Sequence, residues 1–155
     1  MKKISIVLVF IITTLSAINN FAFSQCKQQF IESYLPNEGI FLKSYTTTLR
    51  KPNPLEVYNK KWSLVLNEKT HYRFELYDNT GSDCKTILEL YTTGISGNDS
   101  IISSTYVSEN DRYYPQFDFI CKKTGVYYIN MMLSKEVVAD TICGVVILSF
   151  VGKGK

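Results

Sequence analysis

Histidine is almost missing from this chain: His71 is the single one among 155 residues. Imidazole is the commonest metal ligand and the usual proton carrier at neutral pH, so one copy restricts both metal and acid–base schemes. The four cysteines, Cys26, Cys84, Cys121 and Cys143, form no CxxC and stand at no Cys/His spacing of the kind zinc requires. GISG at 94–97 lacks the GxSxG pattern of a nucleophile elbow. Long basic runs are absent as well, with nothing longer than pairs such as Lys60–Lys61 and Lys122–Lys123. Nucleic-acid binders draw much of their affinity from neutralising phosphates with a basic patch, so that partner class is not expected.

What is present begins with an export signal. Lys2 and Lys3 precede an apolar run to about Ala17, and small residues follow at Ala22 and Ser24. This is the layout of a secretory signal peptide over 1–24, with cleavage after Ser24. The run is shorter than the ~20 apolar residues that cross a bilayer, so no membrane span is expected after cleavage, an uncleaved anchor being the alternative. Gln25 stands where a lipoprotein needs a small residue before Cys26, which argues against a lipid there. Cleavage removes Lys2 and Lys3 and leaves 15 of the 17 Lys+Arg against 14 Asp+Glu. The remaining 131 residues suffice for one core and are few for two.

The rest divides into a short segment, 25–38, a domain over 39–151 and a flexible tail at 152–155. In 26–35, Cys26, Phe30 and Tyr34 recur every four residues with Ile31 and Leu35 beside them, the spacing of a short amphipathic helix that stops at Pro36. Downstream the period changes to two. HYRFELY places Tyr72, Phe74 and Leu76 on one face and His71, Arg73 and Glu75 on the other. In KTGVYYINMML, residues 123–133, Tyr127, Ile129, Met131 and Leu133 alternate in the same way after a turn at Lys123–Gly125, expected to be a hairpin with glycine at positive φ. Further strands are expected at 39–49, 62–66, 86–91, 101–107, 116–121 and 142–150. Short strands divided by turns indicate an all-β antiparallel β-sandwich with a short N-terminal helix.

THYRFELYDNTGSD (70–83) followed by FICKKTGVYYINMM (119–132) resembles the bacterial pre-peptidase C-terminal type of domain. That resemblance covers about 39–150. It implies a jelly-roll-like, non-catalytic accessory module of an exported protein, in some cases one that binds calcium or matrix.

Even cysteine counts in exported chains usually mean disulfides. If 116–121, 125–133 and 142–150 run up, down and up, Cys121 and Cys143 lie roughly 20 Å apart at ~3.3 Å per residue, too far to bond. Both sulfurs are expected to point inward, and the pairing this favours is Cys84–Cys143 with Cys26–Cys121. Asp78, Asn79 and Asp83 offer calcium the oxygen ligands it prefers, but Asp, Asn, Ser and Gly are also ordinary turn formers. A second acidic turn at 109–112 would join such a site only if the fold brought it near. Glu75 and Glu89 are a carboxylate pair if their strands are neighbours. No catalytic set emerges, and no cofactor beyond this calcium candidate.

Tyr58, Trp62, Tyr113 and Tyr114 are expected in or beside loops, where binding residues concentrate on rigid scaffolds, or where they simply cap the sandwich. Asp99-Ser100-Ile101 and Asp140-Thr141-Ile142 resemble O-glycosylation acceptors of exported bacterial proteins, at Ser100 and Thr141. The expectation is therefore an exported, non-catalytic binding or accessory module for an unidentified protein or glycan, located in the periplasm, at the cell surface or outside the cell. A structural subunit of an envelope assembly is the alternative, and a small secreted enzyme the third class.

Overall fold

The computed structural model describes residues 38–50, 59–79, 86–93, 99–134 and 141–154. The signal peptide, the helix expected over 26–35, Cys26, Tyr58, Asp83 and Cys84 lie outside the described residues. Among the described residues ten strands follow in order: β1 (Ile40–Arg50), β2 (Asn59–Leu66), β3 (Thr70–Asp78), β4 (Thr86–Thr93), β5 (Asp99–Ser104), β6 (Tyr106–Val107), β7 (Arg112–Tyr113), β8 (Gln116–Cys121), β9 (Gly125–Leu133) and β10 (Thr141–Lys153). They build two four-stranded antiparallel sheets, β1-β10-β3-β8 and β2-β9-β4-β5, and a two-stranded ribbon, β6-β7. Most neighbours in a sheet are distant in sequence, and the chain passes repeatedly from one sheet to the other. This is the strand order of a jelly roll, an arrangement that turns two sheets into one closed core.

Alternation explains which side chains fill that core. Tyr72, Phe74 and Leu76 of β3 point inward with Tyr127, Ile129 and Met131 of β9, joined by Leu64 and Leu66, Leu88 and Leu90, and Tyr45 and Leu49. Each fully buried large aliphatic or aromatic side chain contributes about 1.5–3 kcal/mol relative to exposure. Phe119 meets Tyr127 edge-on at 5.6 Å, and Phe117 stacks on Phe74 at 5.1 Å.

Four expectations are corrected here. The turn before Gly125 is not a hairpin, because β8 and β9 belong to different sheets and Gly125 pairs with Leu66 of β2. Gly39 is the described glycine with positive φ, at 89°. The tail expected from residue 152 is instead strand as far as Lys153, and the Gly154 amide donates to the Lys69 carbonyl at 3.0 Å. Glu75 and Glu89 sit on strands of different sheets and form no carboxylate pair. The opposite placement of Cys121, beside Thr70, and Cys143, next to the Gly144 that faces Asp78, follows from the strand directions.

The cysteines also depart from expectation. Cys121 carries a free, buried thiol, so it does not make the bond expected with Cys26. Its Sγ donates to the Lys123 carbonyl at 3.2 Å, which also accepts from the Tyr127 hydroxyl at 2.8 Å. Burial, with the Cys121 contact added, pushes the Tyr127 phenol up to about 12. Of the second expected bond, Cys84–Cys143, only Cys143 is among the described residues. Its side chain does not face the core: a Cβ on Gly144 would meet Met131 of the core, so the even-numbered residues of β10 point inward and Cys143 points out.

The glycines give a first test. A Cβ at Gly39 would stand 2.7 Å from the Phe150 carbonyl oxygen, in a left-handed conformation, whereas one at Gly125 meets nothing within 4 Å. Gly39→Ala is expected to destabilise by about 1–3 kcal/mol. Gly125→Ala should be neutral or stabilising by up to about 1 kcal/mol, through the unfolded chain. Equal urea midpoints for the two variants would contradict this assignment.

Candidate binding surface

The β6–β7 ribbon stands apart from both sheets, at the end of the sandwich where β3 finishes and β8 begins. Its base is Thr105, which is fully buried. The Thr105 amide donates to the Leu88 carbonyl at 2.9 Å and its Oγ1 accepts the Leu88 amide at 2.8 Å, fixing the ribbon to β4. On the other side the Leu76 amide donates to the Pro115 carbonyl at 2.7 Å, which ties the exit to β3. Between these anchors Tyr106 and Tyr113 lie 4.8 Å apart, the Tyr106 hydroxyl donates to Asp111 Oδ1 at 3.0 Å, and Tyr113 bonds Ser134 Oγ at 3.0 Å. Asp111 makes the turn at φ 52°, a conformation short polar side chains tolerate better than most. The tip, 108–112, is exposed, and so is Tyr114, at 41%. A charged tip (Glu109, Asp111, Arg112) beside an exposed tyrosine, on a base braced to both sheets, is a surface suited to a protein partner.

The four aromatic candidates therefore separate. Tyr113 and Tyr114 belong to this ribbon, while Tyr58 lies outside the described residues. Trp62 is corrected: it is a strand residue of β2, half-buried against the core, with its ring 5.5 Å from Tyr45.

Of the calcium candidates, Asp78 is buried and accepts the Thr86 hydroxyl at 3.0 Å. Asn79 Oδ1 accepts the Cys143 amide at 2.9 Å. Both thus close the end of β3. Among the described residues no group of three or more His, Cys, Asp or Glu is placed to hold a metal. Ser100 and Thr141 are both exposed, near or at the first residue of β5 and β10.

His71 is part of a charged network on the outer face of β3 and β8. Its Nε2 lies 3.2 Å from Asp118 Oδ2. Arg73 donates through Nε and Nη2 to the two oxygens of Asp118, at 2.8 and 3.2 Å, and through Nη1 to Glu38 Oε2 at 3.1 Å. The bidentate Arg73 bond, ahead of the charges of Arg73 and His71, holds the Asp118 carboxyl below its ordinary range. A depressed carboxylate pKa stabilises the fold above the free-carboxylate value, and that contribution is lost as pH falls through the folded value. Asp118→Asn is expected to flatten the acid limb of stability against pH. An unchanged limb in urea titrations between pH 6 and 3 would contradict that.

Two features were not anticipated. On the outer face of β2, β9 and β4, Lys61 lies over the Tyr91 ring at 4.5 Å and Tyr91 stacks on Tyr128 at 5.7 Å. Beside them burial raises the Glu89 carboxyl, against a bond from Asn130 that lowers it. A cavity of about 530 Å3 also opens between the edge strands β1 and β2, where Leu42, Lys43, Val65 and Val126 contribute to its wall. Exposed Ile40 and Phe41 continue that apolar edge. Neither feature has a local signature, because β2, β9 and β4 are brought together by topology.

No protein-family model matches the chain, and no curated protein matches it. Among solved structures it is similar to PliG of Aeromonas hydrophila, a periplasmic lysozyme inhibitor of g-type lysozyme. The TM-score is 0.51 at 10% identity, over 72% of this chain and 88% of that one, a likeness of fold. It also aligns with a glycosylation-associated protein complex (Gap123) of Streptococcus agalactiae, at TM-score 0.45 and 12% identity, over 74% of this chain and 44% of that one.

Proposed function

We propose that this chain is an exported, non-catalytic module that binds a protein partner through the β6–β7 ribbon. The observation that carries it is the bracing of an exposed, charged, tyrosine-bearing tip to both sheets through Thr105 and Pro115. Pre-ordered loops lose less entropy on binding, and exposed tyrosine supplies contact area at low rotamer cost. The fold shared with PliG makes g-type lysozyme the first partner to assay. The mature chain would be titrated against that lysozyme, and in parallel cross-linked in the envelope of its own cells to identify what it holds. A Tyr114→Ala, Arg112→Ala double variant should lose at least about tenfold in affinity for the partner with an unchanged denaturation midpoint. Full affinity in that variant would overturn the ribbon as the site.

The apolar edge at β1 and β2 favours a second reading, a subunit of an envelope assembly docked through that edge. Long exposed apolar edges are templates for another chain. Leu42→Lys with Val65→Lys would then disperse a stoichiometric complex, while leaving ribbon-mediated binding intact.

Calcium has no part in this proposal, and chelation should leave the urea midpoint unmoved. For Cys143 the proposed partner remains Cys84, five residues beyond the Asn79 that pairs with the Cys143 backbone. Non-reducing peptide mapping should find that bond with Cys121 as a free thiol; a Cys121 disulfide would refute it. Intact mass of Ser100 and Thr141 peptides checks the acceptor sites.

A further inference from the structure

Lys43 stands on the core side of its strand. Near the start of β1 an extra residue, Leu42, interrupts the pairing with β10, so that Phe41 is opposite Ser149 and Lys43 is opposite Leu148. Continued in the register of Ile40 and Phe41, Lys43 would stand opposite Ile147, on the outer face. The bulge re-phases the strand, and directly opposed residues share a face, so Lys43 lies on the same side as Tyr45 and Leu148 of the core. A lysine in that position costs stability unless its ammonium is paired or reaches water. Among the described residues Lys43 has no acidic partner; its contact is the Tyr45 ring, whose centroid lies 4.9 Å from Nζ.

The space in front of Lys43 is the cavity of about 530 Å3 between β1 and β2. Pockets for small ligands run from ~300 to ~1,000 Å3. Its floor is formed by Tyr45, Tyr72 and Leu148 of one sheet and Leu64 and Leu66 of the other, all buried. The Tyr72 hydroxyl is already engaged, accepting the Asn67 amide at 3.0 Å. Lys43 is the one charged side chain among the described residues of the wall, and it is exposed. Its aliphatic stem therefore lines the slot while the ammonium stands at the mouth. Two apolar sheets facing each other at ~10 Å accept a thin, unbranched chain between them. A compact, unpaired ammonium at the entrance attracts a carboxylate, and no acidic side chain of the described wall competes for it.

We propose that this cavity binds a single-chain acyl carboxylate, with the chain lying between β1 and β2 and the carboxylate paired with Lys43. The site is separate from the ribbon. It also differs from docking of another protein along the same edge, which would need Leu42 and Val65 but no charge at Lys43.

The test uses the mature full-length chain and laurate, held below the concentration at which it forms micelles. Calorimetry gives affinity and stoichiometry, and Trp62, the single tryptophan, reports locally because its ring lies 5.5 Å from that of Tyr45. One laurate should bind per chain, saturably, with a change in Trp62 emission. Lys43→Met keeps the apolar stem and should weaken laurate at least about tenfold, whereas Lys43→Arg keeps the charge and should stay within about threefold of the parent. Dodecyltrimethylammonium has a tail of the same length and the opposite charge; it should bind the parent at least about tenfold more weakly than laurate and lose that disadvantage on Lys43→Met. Lys43→Met should also keep its urea midpoint and its ribbon-mediated affinity, so failure of this site leaves the ribbon reading untouched. Absence of saturable laurate binding, equal affinity in Lys43→Met, or indifference to the head-group charge would overturn the proposal. So would binding to phosphatidylglycerol vesicles without binding to laurate, which would mark a membrane-surface contact instead.

Discussion

Phe74→Ala destabilises the chain by about 3–5 kcal/mol, a large share of the 5–15 kcal/mol that holds an ordinary domain folded. Phe74 is fully buried near the middle of β3, paired with Leu148 of β10 on one side and Phe117 of β8 on the other. Truncation removes the transfer free energy of the ring and leaves a cavity between two sheets whose backbones are fixed by hydrogen bonds, so the site cannot collapse. The stacked contact with Phe117 is lost as well, worth about 0.5–1.5 kcal/mol beyond area. Urea denaturation measures the effect directly. Val65→Ala is the control: that side chain is 67% exposed and its loss should stay within about 0.5 kcal/mol. A Phe74→Ala change below about 1 kcal/mol would mean that the core is not organised around β3.

The period-two pattern of β3 and β9 made their inner faces legible in advance, because each strand has one buried and one wetter side. β10 defeated the same logic. Its run ICGVVILSF is apolar on both faces, and Val145 and Ile147 on the outer face are as buried as Val146 and Leu148 on the inner one, so alternation carries no sign. Cys143 was accordingly assigned inward when it points out. The hairpin expected at 123–125 failed for a related reason: a turn of three residues can reverse the chain within one sheet or carry it into the opposite sheet, and local residues do not distinguish the two. Of the surface, the tyrosines at 113 and 114 were visible as aromatics in a loop-rich stretch. Thr105, which anchors them, was not, because its importance arises from Leu88, seventeen positions earlier. The β1/β2 cavity and the Lys61–Tyr91–Tyr128 stack likewise exist only once distant strands meet.

That dependence of the ribbon on one threonine sets the other large effect. Thr105→Val keeps the shape of the side chain and removes the oxygen that accepts the Leu88 amide. Leu88 is fully buried, so its N–H is left without a partner or water, at a cost of about 1–3 kcal/mol. The consequence is directional. The Tyr114 amide donates to the Thr105 carbonyl at 2.7 Å, so a loosened Thr105 frees the ribbon before it frees either sheet. Amide exchange at Tyr114 should accelerate more than exchange at the paired strands β3 and β10, and affinity for the partner should fall through a faster dissociation rate. Thr105→Ser retains the acceptor and should lie close to the parent in both measurements. Equal behaviour of the Val and Ser variants would show that the hydroxyl bond is not what braces the tip, and the rigidity on which the proposed binding surface rests would then have to come from the Tyr106–Tyr113 contact and the Tyr113–Ser134 bond alone.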